Sequence, residues 1–203
     1  MRRLTRRRAL QGVAGTLGAR ALPFDRAAAG QADGPAADLV RFAWWTDVGT
    51  PTPFQVSTAG PGGAVLLSLI YDTLTWKDAE GIVPWLAAGW EAGADGREYT
   101  FRLVDGARWH DGRPLTAADV AFAFDAYAQH PYRWMTTEVI AATTAPDDRT
   151  VRFALARPYA AFLEDIAGVV PIVPRHVWEA VADPVAYAGA DRSVGSGPFR
   201  LAA

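Results

Sequence analysis

Three histidines, His110, His130 and His176, are the only imidazoles in the chain, and His110 alone has a carboxylate beside it, in Trp109-His110-Asp111-Gly112. A His-Asp doublet can hold a divalent metal, but a centre needs further ligands at workable spacing. Neither His130 nor His176 stands four residues from another histidine, and no His-Glu-x-x-His frame occurs. Asp111 before Gly112 is explained by turn chemistry instead, since the carboxylate bonds nearby main chain and glycine accepts a positive φ. Cysteine is absent, which excludes disulfides, Cys-ligated zinc, thiol catalysis and a lipid-modified N-terminal Cys. Gly60-Pro61-Gly62-Gly63 ahead of an apolar run could seat an anion at a helix start. It lacks both the Lys-Ser/Thr partner and the Gly-x-Gly-x-x-Gly spacing of a phosphate loop. No nucleophile, base and orienting group can be assembled. No catalytic residue, metal site or cofactor is therefore assigned.

The elements around these residues are legible from periodicity. Tyr99, Phe101 and Leu103 alternate with Thr100, Arg102 and Val104, the period of a half-buried strand. Asp95-Gly96, Asp105-Gly106 and Asp111-Gly112 are turn dipeptides. Thr116 with Asp119 three residues on predicts a capped helix that carries Val120, Phe124 and Tyr127 on one face. An apolar helix is expected over Ala64 to Leu74, opened by the glycine-rich turn at Gly60 to Gly63. Pro146-Asp147-Asp148-Arg149 predicts a turn and Thr150 to Leu155 an alternating strand. Pro158 to Ile166 reads as a helix with proline in its first turn. Val169 to His176 reads as a buried extended segment entering a helix over Val177 to Val181. Leu39 to Trp45 reads as a first strand, running into the loop Thr46-Asp47 and Thr50-Pro51-Thr52-Pro53.

With 203 residues, half of them hydrophobic and 21% charged, the chain is globular and long enough for one domain or a little more. Residues 1–29 hold seven arginines and one aspartate. The remainder has 13 basic and 21 acidic residues, a net charge near −8. An acidic body argues against nucleic acid as a partner. The leader reads as an export signal: Thr5-Arg6-Arg7-Arg8-Ala9-Leu10-Gln11 matches the twin-arginine pattern, a mildly apolar run follows to Ala19, and Ala27-Ala28-Ala29 offers a small-residue cleavage site. A DNA-binding arm would be the competing reading, but no helix-turn-helix pattern accompanies it. A short polar linker is expected over residues 30–38.

Taken together, the segment WEAGADGREYTFRLVDGARWHDGRPLTAADVAFAFDAY resembles the family 5 extracellular solute-binding proteins, the peptide- and nickel-type binding proteins of ABC importers. Ile70-Tyr71-Asp72-Thr73-Leu74, Val83 to Trp90 and Val194-Gly195-Ser196-Gly197-Pro198-Phe199 resemble further stretches of the same family. The resemblance implies an α/β fold of the periplasmic-binding-protein type II kind. Residues 39–49 and about 185–203 would belong to the main lobe, with about 50–184 as an inserted α/β subdomain. It implies that a second lobe, absent from this sequence, would complete the clamp. It implies a periplasmic binding protein that captures a small solute such as an oligopeptide and meets membrane permease subunits, with no enzymatic role, and the lack of cysteine leaves it without a lipid anchor. By the same resemblance Trp44, Trp45, Thr46 and Asp47, together with Ser196 and Gly197, would border the ligand cleft. Flat indole faces suit such a wall, although strand neighbours point to opposite sides, which leaves one of Trp44 and Trp45 for the core. Gly195 and Gly197 let the backbone approach a neighbour or a ligand closely. Two alternatives stand beside this reading: a cytoplasmic ligand-sensing module of a regulator, and a metal-dependent hydrolase using His110 and Asp111.

Overall fold

Apolar residues at alternate positions decide which side of the sheet is inside. The computed structural model describes residues 52–131 and 137–201. Within it, β3 (Ala87–Ala92), β4 (Glu98–Leu103), β5 (Ile140–Asp147) and β6 (Thr150–Leu155) form an antiparallel sheet in the order β3-β4-β6-β5. Tyr99, Phe101 and Leu103 of β4 and Val151, Phe153 and Leu155 of β6 all turn to one buried face. Tyr99 stands opposite Phe153 and Phe101 opposite Val151. Phe153 meets Phe101, Phe124 and Phe162 edge-on, with ring centroids 4.8–5.6 Å apart. A fully buried phenylalanine is worth about 1.5–3 kcal/mol, against about 1 kcal/mol for one net hydrogen bond. Slipping either strand by one residue would expose this whole set, so the register is well specified.

Helix α2 (Ala117–Gln129) covers that face. Val120, Phe124 and Tyr127 are buried as their spacing predicts. Its start is a capping box in which the Asp119 carboxylate accepts from the Thr116 amide at 2.8 Å. The second Asp119 oxygen accepts from the Arg175 amide at 3.0 Å. Asp119 thereby pins the start of α3 (Arg175–Trp178) to the start of α2, a tertiary role that the local pattern does not reveal. The three Asp-Gly turns carry positive φ at Gly96, Gly106 and Gly112. A separate hairpin, β1 (Thr75–Asp78) with β2 (Gly81–Pro84), lies outside the main sheet.

Three sequence expectations need correction. Helix α1 runs Val56–Ile70, so Gly60 to Gly63 lie within it rather than opening it, and it stops before Tyr71. Tyr71 is extended because the residues after it bond elsewhere: Asp72 accepts from Ile172, Thr73 accepts from Leu86, and Leu74 donates to Ala167. Tertiary main-chain partners override the helical pattern of Tyr71 to Leu74. The helix expected from Pro158 is a single wide π turn at Phe162–Ala167, preceded by turns. The helix expected at Val177 begins at Arg175, where the Asp119 bond fixes its first turn, and lasts four residues. The buried extended run before it holds, with Val170, Ile172 and Val173 all inaccessible.

Candidate functional site at the end of the first helix

A helix leaves its last carbonyls without intrahelical donors, and α1 ends on the buried Ile70. Here the incoming chain supplies the missing donors. The Gly197 amide bonds the Ile70 carbonyl at 2.8 Å, and the Phe199 amide bonds the Leu69 carbonyl at 3.0 Å. Pro198 lies between them and has no amide to spend. The next residue of the helix end is tied as well, since the Tyr71 hydroxyl donates to the Arg192 carbonyl at 2.7 Å. Burial pushes the Tyr71 phenol well above its usual range, which keeps it a donor.

The contact is close enough to require glycine. A Cβ on Gly195 would stand 2.0 Å from the Ile70 carbonyl oxygen, and one on Gly197 would stand 2.7 Å from the Ile70 carbonyl carbon. Gly195 and Gly197 therefore meet a neighbour, the end of α1. Ser196, between them, has its hydroxyl oxygen buried without a hydrogen-bond partner. It is an unspent polar group at the crossing.

His110 grips the same segment from the other side. Its amide donates to the Gly195 carbonyl at 2.7 Å, and its Nδ1 accepts from the Gly195 amide at 3.2 Å. Its Nε2 donates to the Gly197 carbonyl at 2.9 Å. Only the neutral Nε2–H tautomer satisfies both ring bonds. Both ring nitrogens are thus committed to main chain, which removes His110 as a free metal ligand. Asp111 turns away and takes the His176 Nε2 at 2.8 Å and the Arg113 amide at 3.1 Å. Partial burial alone would raise the Asp111 carboxyl. The Arg113 amide, the His176 ring and the positive charges of His176 and Arg113 outweigh it and hold the group below its ordinary value. His130 lies apart, edge-on to Phe54.

Of the six residues expected at the cleft, Ser196 and Gly197 sit at this junction. Trp44, Trp45, Thr46 and Asp47 lie outside the described residues. The sequence reading missed His110 as a partner of the Gly195–Gly197 segment, because the two motifs are 85 residues apart and each is a plausible turn by itself. It also missed a cavity of about 130 Å³ along α1, lined by Leu67, Ser68, Tyr71, Trp76 and Val169. The Ser68 hydroxyl there donates to the Val65 carbonyl and Tyr71 to Arg192, so these two groups are already spent. Among the described residues no cluster of three or more His, Cys, Asp or Glu could hold a metal ion.

The profile of the bacterial extracellular solute-binding proteins, family 5 Middle, matches residues 81–203. The dipeptide-binding protein of Escherichia coli K12 is 36% identical over 146 residues, covering 59% of this chain and 26% of that protein. The mannohexaose-bound periplasmic oligopeptide-binding protein of Thermotoga maritima superposes with a TM-score of 0.65 at 31% identity, over 79% of this chain and 30% of that one. NikA from Brucella suis in complex with Fe(III)-EDTA gives 0.67 at 26% identity, over 80% of this chain and 32% of that one. The chain spans about a quarter to a third of the length of these relatives. The mixed α/β arrangement is part of a periplasmic-binding-protein type II fold, and the chain belongs to the family 5 extracellular solute-binding proteins.

Proposed function

We propose that this chain is part of an exported solute-binding component of an ABC importer, one that captures an oligopeptide or a similar small solute and passes it to a membrane permease. The observation that carries the reading is the family match over residues 81–203, in a fold with the same arrangement. The family is one of solute-binding proteins, and binding by enclosure needs no reactive group. Peptide is the favoured solute because the Escherichia coli relative is a dipeptide-binding protein. The mannohexaose and Fe(III)-EDTA complexes of the other two relatives show that family membership does not select a ligand. Residues 39–49 and about 185–203 would belong to the main lobe, and about 50–184 to the inserted subdomain. The buried, unpartnered Ser196 hydroxyl is the polar group at the junction that a ligand or an adjoining main-chain segment would satisfy. Trp44, Trp45, Thr46 and Asp47 would complete that border.

The export half is tested by Arg6→Lys with Arg7→Lys, which should hold the protein inside the cell if the leader is of the twin-arginine kind. Unchanged export would sink that leader assignment. The binding half is tested by mass spectrometry of small molecules retained by the protein purified from its native host, followed by calorimetric titration with di- to pentapeptides. Retained peptides and saturable heat are expected. A sugar or a metal chelate in their place would replace the peptide assignment but keep the binding function. No retained solute and no heat would remove both.

A further inference from the structure

We infer that His110 is a positioning residue whose neutral ring holds the Gly195–Gly197 segment on the end of α1, and that a proton on this ring loosens the segment. The inference rests on the reading above only for its functional meaning; the latch itself is a statement about this chain alone. Its basis is the pair of opposed ring bonds. Nδ1 accepts from the Gly195 amide at 3.2 Å, and Nε2 donates to the Gly197 carbonyl at 2.9 Å. A protonated imidazole carries hydrogen on both nitrogens, so Nδ1–H would then face the Gly195 N–H, donor against donor. The Gly197 bond would survive and the Gly195 bond would not.

The neighbouring histidine responds in the opposite sense. His176 Nε2 lies 2.8 Å from the Asp111 carboxylate, an arrangement that a charged ring strengthens. Acid therefore tightens the Asp111–His176 contact while it opens the His110–Gly195 contact, one residue away in sequence. Arg200, on the segment itself, is exposed, and the charged groups nearest the crossing are engaged elsewhere. Arg113 pairs with Asp111 and Arg108 donates to the Gly112 carbonyl. Asp191 accepts from the Tyr187 hydroxyl, Arg192 donates to the Ala188 carbonyl, and the Tyr71 hydroxyl donates to Arg192. None of these offers the Gly195 amide a replacement acceptor. The segment it would release carries both Ser196 and the caps of the Leu69 and Ile70 carbonyls.

The test is nuclear magnetic resonance on the chain without added solute, so that failure of the latch is separate from failure of the solute-binding reading. At about pH 7.5 the His110 ring should show the Nε2–H tautomer. Between about pH 7.5 and about pH 5, the range in which histidine changes charge, the protection factor of the Gly195 amide should fall roughly fivefold, as expected for one lost hydrogen bond. Amides of β4 and β6 should keep theirs. His110→Asn, whose side-chain oxygen takes the place of Nδ1 and does not titrate, should keep Gly195 protected at both pH values. His176→Asn should leave the acid response of Gly195 in place. An Nδ1–H tautomer, a Gly195 amide indifferent to acid, an acid response that persists in His110→Asn or disappears in His176→Asn, or equal loss across the β4 and β6 amides would each overturn the inference. The native chain's own pH series decides it even if the His110→Asn variant does not fold.

Discussion

Adding one methyl group at Gly195 should cost far more than adding one at Gly189, although both meet an atom at almost the same distance. At Gly195 the new Cβ would lie 2.0 Å from the Ile70 carbonyl oxygen, 2.8 Å from its carbonyl carbon and 3.0 Å from its Cγ2. At Gly189 it would lie 2.1 Å from the Tyr187 hydroxyl oxygen. The Ile70 carbonyl is main chain at a helix end and cannot rotate away, so the segment must move by more than 1 Å to regain ordinary contact. That displacement takes the Gly195 carbonyl and amide off His110 and the Gly197 amide off Ile70. Overpacking alone costs about 1–3 kcal/mol, and each bond lost adds about 0.5–1.5 kcal/mol. The loss of unfolded-state freedom on going from glycine to alanine returns about 0.4–1 kcal/mol. Gly195 is not in the left-handed region, so backbone strain adds nothing, and with three bonds lost the net cost of Gly195→Ala should be about 1.5–7 kcal/mol, centred near 4 kcal/mol. The Tyr187 ring, by contrast, can swing aside, losing its bond to Asp191 and its edge-on contact with Trp178, so Gly189→Ala should cost about 1–2 kcal/mol. Urea unfolding of the two variants in parallel measures both. Equal midpoints, or a Gly195→Ala midpoint within error of the parent, would show that the segment does not rest on the helix end as described.

Two other substitutions probe polar contacts elsewhere in the fold. Asp119→Ala removes the capping box of α2 and the acceptor for the Arg175 amide together, and should lower stability by about 2–3 kcal/mol; a loss under about 0.5 kcal/mol in urea unfolding would refute the bridging role. Asp111 makes a pH prediction. Its carboxyl is held below the ordinary 3.8 in the folded chain, so the unfolded chain binds the proton more readily. The stability it contributes is full above that ordinary value and is lost as pH falls through the lower folded one. Asp111→Asn should flatten the fall in stability below about pH 4, and identical acid limbs for the two proteins would contradict the His176 and Arg113 contacts.

The strength of local signals explains which parts of this fold could be read from the residues. β4, β6 and α2 each combine a strict period with a matching start or stop, and their observed bounds fall within a residue or two of expectation. β5 has no such signal. Its Ile140-Ala141-Ala142-Thr143-Thr144-Ala145-Pro146-Asp147 is mostly small residues with a proline near its end. It is a strand because β6 pairs with it and α2 packs on it, with register shifts between Ile140 and Ala142 and between Thr144 and Asp147. The Gly60-Pro61-Gly62-Gly63 run misleads for the converse reason. Proline and glycine are poor helix formers by propensity, yet α1 extends through them, carrying the buried Gly62, Gly63, Leu67 and Ile70. Packing decides these elements, and packing is invisible to a window of ten residues.

The same distinction explains why half of the candidate site was legible. Gly195-Ser196-Gly197 announces a close backbone approach, but two glycines cannot say what they approach. Likewise His110-Asp111-Gly112 announces a turn, and the turn is there, yet the imidazole's partners lie 85 and 87 residues away. The carbonyls that bring the motifs together belong to neither: they are the orphans at the end of α1, and α1 itself ends four residues before its apolar pattern does. Had the helix continued to Leu74, the Leu69 and Ile70 carbonyls would have found donors inside it, and Gly197 and Phe199 would have had nothing to cap. The early stop at Tyr71 is thus what creates the seat for Ser196. It is set by three main-chain bonds from distant segments, those of Asp72 with Ile172, Thr73 with Leu86, and Leu74 with Ala167.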